Sequence, residues 1–202
     1  MLDLIALPGP WLYPSLFALA VLDAFVFLVP SELLVLAAGS FAAAGQAHPL
    51  VVVASAALGA MVGDHLSYQI GRTGGVRLGR FLPPSLRSSA LFVKAGDLLA
   101  RRGGVVLLAA RYVPGGRTAI TFAAGANGYP WRRFFFFDLA AALLWATYYC
   151  VLGYVGAAAF GGNPWLGIAV GVGLAAVTAA GIGLVGRLRR RSVPVRSRRA
   201  RP

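Results

Sequence analysis

"FLVPSELLVLAAGSFAAAG", residues 27–45, is almost wholly apolar, yet it sets a proline and, two residues later, a carboxylate inside its hydrophobic run. Residues 31–45 are too few to cross a bilayer, since a spanning helix needs about 20 residues at about 1.5 Å of rise each. Pro30 lacks a backbone donor and breaks a helix. The stretch therefore predicts a short arm that begins at Pro30 and carries Glu32 at its tip, where unpaired backbone N–H groups need acceptors.

The surrounding chain is of the same character. Of its 202 residues 58% are hydrophobic and 12% charged, with a mean hydropathy of +0.74, whereas a soluble domain carries about 25% charged residues. Residues 11–29 are a first apolar run. Residues 50–70 are a full-length span containing Asp64, and "GQAHP" before it is a turn signal. Residues 131–160 are a span that opens on arginines and aromatics, the usual interfacial anchors, and 165–186 are a Gly/Ala-rich final span. Residues 86–101 read equally well as a short interfacial helix or a solvated loop. The predicted class is an all-α polytopic membrane protein, with one membrane domain over residues 1–186 and a basic, disordered cytoplasmic tail over 187–202. The N-terminal residues lack the positive region of a signal peptide, and Cys150 stands alone, so no internal disulfide is expected.

The net charge of +13 is unevenly placed. Eight of the 19 basic residues lie in 187–202, seven between Arg72 and Arg102, and none in 1–71. Such clustering follows the positive-inside rule, and no nucleic-acid motif accompanies it. With the tail cytoplasmic, Arg132, Arg133 and the 72–102 stretch fall on the same side. Segment 103–128, interrupted by "PGG", then starts and ends on that side and is predicted to be re-entrant. The arm 31–45 dips in from the opposite face. The side of the N-terminus is left open. "VPSELLVLAAG" (29–39) resembles "VPGGRTAITFAAG" (113–125), so the two arms read as halves of an inverted repeat. Paired, broken hydrophobic segments of this kind point to a transporter's binding site. The breaks are at Pro30 and at Pro114, Gly115 and Gly116.

Four of the six acidic residues fall inside apolar segments: Asp23, Glu32, Asp64 and Asp138. A lone charge at mid-bilayer costs about 2.5–3.5 kcal/mol, so each needs a partner or a purpose. Arg111 and Arg117 flank "YVPGG", and the break lets both guanidinium groups converge. Two readings of Glu32 and Asp64 with these arginines stay open. They close a structural ion network, or they line a polar cavity where the acids carry protons and the arginines bind an anionic head group. Asp23 is a second cavity acid or a helix-end charge. Asp138, five residues after Arg133, is expected to pair locally with Arg132 and Arg133. His65 is expected to be packed, a proton relay being its alternative. His48 is expected to be exposed, and Tyr68 and Trp145 to be packing or interface residues. No His, Cys and carboxylate set has metal-ligand spacing, so neither metal nor other cofactor is expected.

A family resemblance rests on the order of these residues. Pro30-Ser31-Glu32; Gly63-Asp64 with Tyr68, Gly71, Arg72 and Gly75; Phe92, Lys94 and Gly96; Arg111, Pro114, Gly115 and Arg117; Gly125; Trp131 to Phe134; and Trp145 together resemble the DedA family, also called the VTT or SNARE-associated family. The resemblance covers about residues 11–185. It implies two opposed re-entrant helices and the movement of undecaprenyl phosphate or a phospholipid across a bacterial cytoplasmic membrane, coupled to protons. Glu32 and Asp64 take the positions of the family's embedded acids, and Arg111 and Arg117 those of its arginines. Gly116 widens the family's spacer, and Asp138 stands where an uncharged polar residue is more usual. The expected partners are a membrane lipid and protons, with no nucleic acid; no feature sets an oligomeric state. A non-transporting scaffold is the alternative function. An enzyme is not expected, because the two histidines and the missing phosphatase or phosphotransferase motifs leave no catalytic set.

Overall fold

The structure is a computed structural model describing residues 9, 11–25, 31–74, 98–99, 101–111, 116–174 and 177. Its helices are α1 (Leu12–Asp23), α2 (Ser31–Ala43), α3 (Pro49–Gly74), α4 (Val105–Ala110), α5 (Gly116–Ala126) and α6 (Trp131–Ala158), followed by α7 (Pro164–Leu174). No strand occurs among the described residues. The sequence breaks at Pro30, Pro114 and Gly115, the loop after Gly74 and the basic tail lie outside them. Gly116 is the first residue of α5 and Ser31 the first of α2.

Length separates two kinds of helix. α3, with 26 residues, and α6, with 28, are long and apolar enough to cross a membrane, at about 39 and 42 Å by helical rise. α2, with 13 residues, and α5, with 11, are not. Local chemistry sets their ends. Pro49 opens α3 at a position where a missing N–H costs nothing, and the Tyr13 hydroxyl of α1 accepts from the His48 N–H at 3.0 Å. α2 and α5 each run out into a glycine with positive φ, Gly45 at 74° and Gly128 at 67°. There the Gln46 N–H reaches the Phe41 carbonyl and the Tyr129 N–H the Ala124 carbonyl, closing otherwise orphaned acceptors.

The short helices pack on the long helices in a crossed pattern. α2 lies on α6, while α5 and α1 lie on α3, and α3 meets α6. In both crossed contacts backbones touch through glycine. A Cβ on Gly39 would strike the Cys150 carbonyl, and one on Gly153 the Leu36 carbonyl. On the other side a Cβ on Gly125 would strike the Tyr68 carbonyl, and one on Gly71 the Phe122 carbonyl. Each contact therefore pairs a glycine and the residue three before it with the same couple on its partner. Small residues at such interfaces allow close approach, which drives helix association where lipid removes the hydrophobic effect. One apolar cluster joins α1, α2, α3 and α6 around Val35, Ala56, Ala60, Trp145 and Ala146. A second joins α3, α4, α5 and α6 around Tyr68, Leu107, Ile120 and Phe134. Leu58, Val62, Leu66 and Ile70 of α3 and Leu143, Leu144 and Val151 of α6 stay exposed, an apolar girdle suited to lipid.

Gly125→Ala or Gly153→Ala forces a methyl group into a backbone carbonyl, and each is expected to destabilise the fold by about 1–3 kcal/mol. Gly173→Ala, where nothing lies within 4 Å, is expected to leave stability unchanged or slightly raised. Thermal unfolding of the three purified variants in detergent checks this.

Candidate functional site

The ends of four short helices converge on the middle of the two long ones. Asp64 is the sixteenth residue of α3, counting from Pro49, and Asp138 the eighth of α6, counting from Trp131. Around them lie the end of α1 with Asp23, the start of α2 with Ser31 and Glu32, the end of α4 with Arg111 and the start of α5 with Arg117. Arg117 stands at a helix N-terminus, where the helix dipole opposes a cation. It is held there by acids from two other helices.

The side chains form a continuous ionic row. Arg111 Nη2 donates to Asp64 Oδ2 and, at 3.2 Å, to Asp138 Oδ1. Arg117 Nε lies 3.4 Å from Asp64 Oδ1, and its Nη2 lies 3.2 Å from Asp23 Oδ2. The Ser31 hydroxyl donates to the same Asp23 oxygen at 2.8 Å, and Thr118 ties α5 to the Ala24 carbonyl at 3.1 Å. The side chains of Arg111, Asp64 and Asp138 are 2%, 1% and 2% exposed. Arg111 also sits over Trp145, with 5.7 Å from guanidinium carbon to ring centroid, a cation–π distance. Glu32 is half-buried and makes no ion pair among the described residues, while Asp23, Arg117 and Arg111 are the charges that act on it.

The row is short of positive charge. Among the described residues three carboxylates pair with two guanidinium groups, so full ionisation leaves 3 − 2 = 1 negative charge uncompensated, with Glu32 beside the row and His65 in contact with Asp138. Arg111 Nη1 is buried without a hydrogen-bond partner among the described residues, so the row keeps one free donor. Among the described residues no group of three His, Cys, Asp or Glu side chains could hold a metal ion.

The sequence-derived candidates divide accordingly. Asp23, Asp64, Arg111 and Arg117 meet in one row, and Glu32 lies beside it. The expected local pairing of Asp138 with Arg132 and Arg133 is corrected. Both arginines are exposed, whereas Asp138 is turned into the bundle against Arg111 and His65. Counting residues from Arg133 measured depth and ignored direction. Phe134, Asp138, Ala141 and Trp145 are all buried, and their i, i+4, i+7, i+11 spacing is the core stripe of α6. His65 is packed against Trp131, Phe134 and Phe135 and also lies 3.4 Å from Asp138. His48 is exposed. Tyr68 is fully buried on Phe134, its hydroxyl donating to the Tyr129 carbonyl. Ser31, named in the sequence only as part of the Pro30-Ser31-Glu32 motif and given no role, is the residue that ties α2 to Asp23.

The VTT domain pattern matches residues 29–155, a stretch that contains Glu32, Asp64, Arg111, Arg117 and Asp138. The chain belongs to the VTT-domain, or DedA, family of membrane proteins. Among its relatives, Protein DedA of Escherichia coli is 29% identical over 159 residues, covering 75% of this chain and 72% of that protein. The inner membrane proteins YohD and YghB of the same organism are 30% and 32% identical over 118 and 127 residues. Those matches cover 58% and 62% of this chain and 58% of each relative. No solved structure matches.

Removing Arg111 leaves two buried carboxylates without their shared donor. Arg111→Ala is expected to cost about 3–5 kcal/mol of stability, and Arg132→Ala, on the exposed face, about 0.5 kcal/mol or less. Unfolding of the two variants side by side in detergent measures the difference.

Proposed function

We propose that the chain carries a lipid with an anionic phosphate head group, undecaprenyl phosphate or a phospholipid, across a bacterial cytoplasmic membrane, coupled to protons. The observation that carries this is the ionic row itself: two arginines and three acids, with Glu32 beside them, buried between two membrane-length helices by the ends of short ones. Arginine forks suit a phosphate, and membrane-embedded acids mark ion and proton paths. α2 and α5 are then re-entrant arms of an inverted repeat, entering from opposite faces. The matching glycine couples at Leu36/Gly39 on Cys150/Gly153 and at Phe122/Gly125 on Tyr68/Gly71 support that assignment. The C-terminus is cytoplasmic, by the clustering of arginines in 187–202.

The head group enters between the arm tips and pairs with Arg117 and the free donor of Arg111, while its hydrocarbon chain stays in the bilayer. It displaces carboxylates that are already in surplus, so the acids must take up protons as the anion binds. Linkage sets the sign: a site that binds more protons when loaded binds its ligand more tightly as pH falls. No bond is made or broken in this cycle, and the activity is transport rather than catalysis. A scaffold without transport is the second reading, because the pairing of both arginines in the row is also what a purely structural network would show.

Proteoliposomes loaded with labelled undecaprenyl phosphate or phosphatidylethanolamine, with and without a pH gradient, test the proposal. The wild type is expected to move one of these lipids faster when the loading side is made more acidic. Arg117→Ala and Glu32→Gln are expected to fall to the protein-free rate while expressing normally. Wild-type rates in both variants would overturn the mechanism, and normal assembly without any lipid movement would favour the scaffold.

A further inference from the structure

The outer face of the α3–α6 junction is a shallow groove. Val62, Leu66 and Gln69 of α3 form one wall and Trp131 and Phe135 of α6 the other, with His65 between them, around a space of about 270 Å³. It opens onto the apolar girdle, where Val62 and Leu66 are 41% and 46% exposed. Trp131 and Phe135 lie 5.7 Å apart between ring centroids, and His65 meets both edge-on. The imidazole offers this space no hydrogen bond. Its Nδ1 faces the Met61 carbonyl and Asp138, and its Nε2 is buried. An ordered water needs about two to four polar partners, and Gln69 is the one polar side chain besides His65 in the lining. Hydrocarbon therefore suits the groove, and water does not.

The groove has a length and a charged end. Val62 is the fourteenth of the 26 residues of α3, and Arg72 stands in its last turn. The rise between them is about 15 Å, half of the ~30 Å hydrocarbon core of a bilayer. A chain lying along α3 from Val62 to Arg72 thus spans one leaflet. Arg72 follows Gln69 by three residues and Arg132 precedes Phe135 by three, so each borders a lining residue on the surface of its own helix. Both arginines are exposed. Arg72 Nη1 lies 3.5 Å from the Tyr68 hydroxyl, which donates to the Tyr129 carbonyl just before α6 begins. Trp131 sits at the same end, where tryptophan marks the boundary between hydrocarbon and head groups. No acid balances these cations. Among the described residues the acids are Asp23, Glu32, Asp64 and Asp138, all in the ionic row or beside it.

We propose that the α3–α6 groove binds one anionic glycerophospholipid from the leaflet that meets these arginines. An acyl chain lies along Val62, Leu66 and Phe135, and Trp131 stands at the level of the glycerol. Arg72 and Arg132 take the phosphate, and the Gln69 amide donates to an ester carbonyl. Basic pockets between membrane helices hold anionic head groups in this way. A second copy of the chain, placed on this face by a twofold axis along the membrane normal, would set the same arginines at the same level with no described acid to pair them. The site is separate from the ionic row, to which Arg72 and Arg132 do not contribute. It needs only that α3 and α6 lie in a membrane, and it goes beyond the transport reading without resting on it.

Native mass spectrometry of the full chain in detergent reads the retained lipid. The wild type is expected to hold dioleoyl phosphatidylglycerol about 10-fold more tightly than dioleoyl phosphatidylcholine, and Arg72→Gln and Arg132→Gln each to weaken phosphatidylglycerol by about 5-fold. A phosphatidylglycerol with a diazirine in one acyl chain locates the site, and is expected to label Val62, Leu66 and Phe135 in liposomes. Leu66→Trp, which fills the groove, is expected to abolish labelling of Val62 and Phe135. Leu144→Trp, at another exposed position of α6, is expected to leave that labelling unchanged. Equal retention of the two lipids, labelling that avoids the groove, or labelling that persists in Leu66→Trp would each overturn the proposal. So would a dimer that Leu66→Trp dissociates, which assigns the face to a second copy. Retention lost in Arg117→Gln but kept in Arg72→Gln and Arg132→Gln would overturn it too, by moving the lipid to the ionic row. The expected binding and labelling in a protein that moves no lipid would sink the transport reading and leave the groove site standing.

Discussion

The carboxylate of Asp64, shared by two arginines from either side of one chain break, is the contact on which the rest of the structure depends. It is 1% exposed at mid-length of an apolar helix, where an unpaired charge would cost several kcal/mol. Arg111 follows the end of α4 and Arg117 belongs to the first turn of α5, two separate helices, and both reach it. A continuous helix would set residues six apart about 120° from one another. The break that prevents 103–128 from being a single helix is thus the feature that lets its charges be buried. The same logic holds for Asp23 and Ser31, which meet at the end of α1 and the start of α2.

Bringing helix ends into an apolar bundle needs a driving force that the ions do not supply, since buried pairs gain little over their desolvation. The glycine contacts supply it. α2 and α5 are short, with few side chains large enough to anchor them, and their hold on α6 and α3 comes from backbone meeting backbone at Gly39, Gly153, Gly71 and Gly125. Each arm also ends its packed stretch near a left-handed glycine turn, Gly45 or Gly128, which releases the chain toward the next long helix. The charged tips are therefore fixed from their uncharged ends.

Much of this was legible in the sequence, and the exceptions have physical causes. The long helices followed from length and hydropathy, as did the 31–45 segment that is too short to cross, whereas the reading of 103–128 came from the basic residues at both its ends. The convergence of Asp64, Arg111 and Arg117 followed from the cost of leaving charges unpaired around a proline-glycine break. Asp138 was misplaced because distance along the chain from Arg133 was used where helical direction decides. Its stripe with Phe134, Ala141 and Trp145 was present in the sequence, but in a helix apolar on all sides a stripe of small and aromatic residues does not announce which face is inward. The crossed packing of the short helices on the long ones was hidden for a different reason. "AAG" at 37–39 and at 123–125 is cheap in a chain with 26 glycines, and only the paired carbonyl contacts reveal that these two glycines matter.

The crossing also sorts the ionic contacts by what holds their helices together. α5 is locked on α3, so the pair Arg117–Asp64 lies inside one glycine-sealed couple. α2 is locked on α6, which places Ser31, Glu32 and Asp138 on the other couple. The contacts of Ser31 with Asp23, of Arg111 with both Asp64 and Asp138, and of His65 with Asp138 all run between the couples. A change of charge on Asp138 therefore alters the attraction between two bodies, each held internally by close packing that charge does not touch. Packed interfaces respond to such a change by shifting as units rather than by deforming. Arg111 joins the two, because its one Nη2 nitrogen bonds to an acid from each couple while Nη1 has no partner among the described residues. Anything that claims Nη1 therefore competes for the same guanidinium that ties α3 to α6.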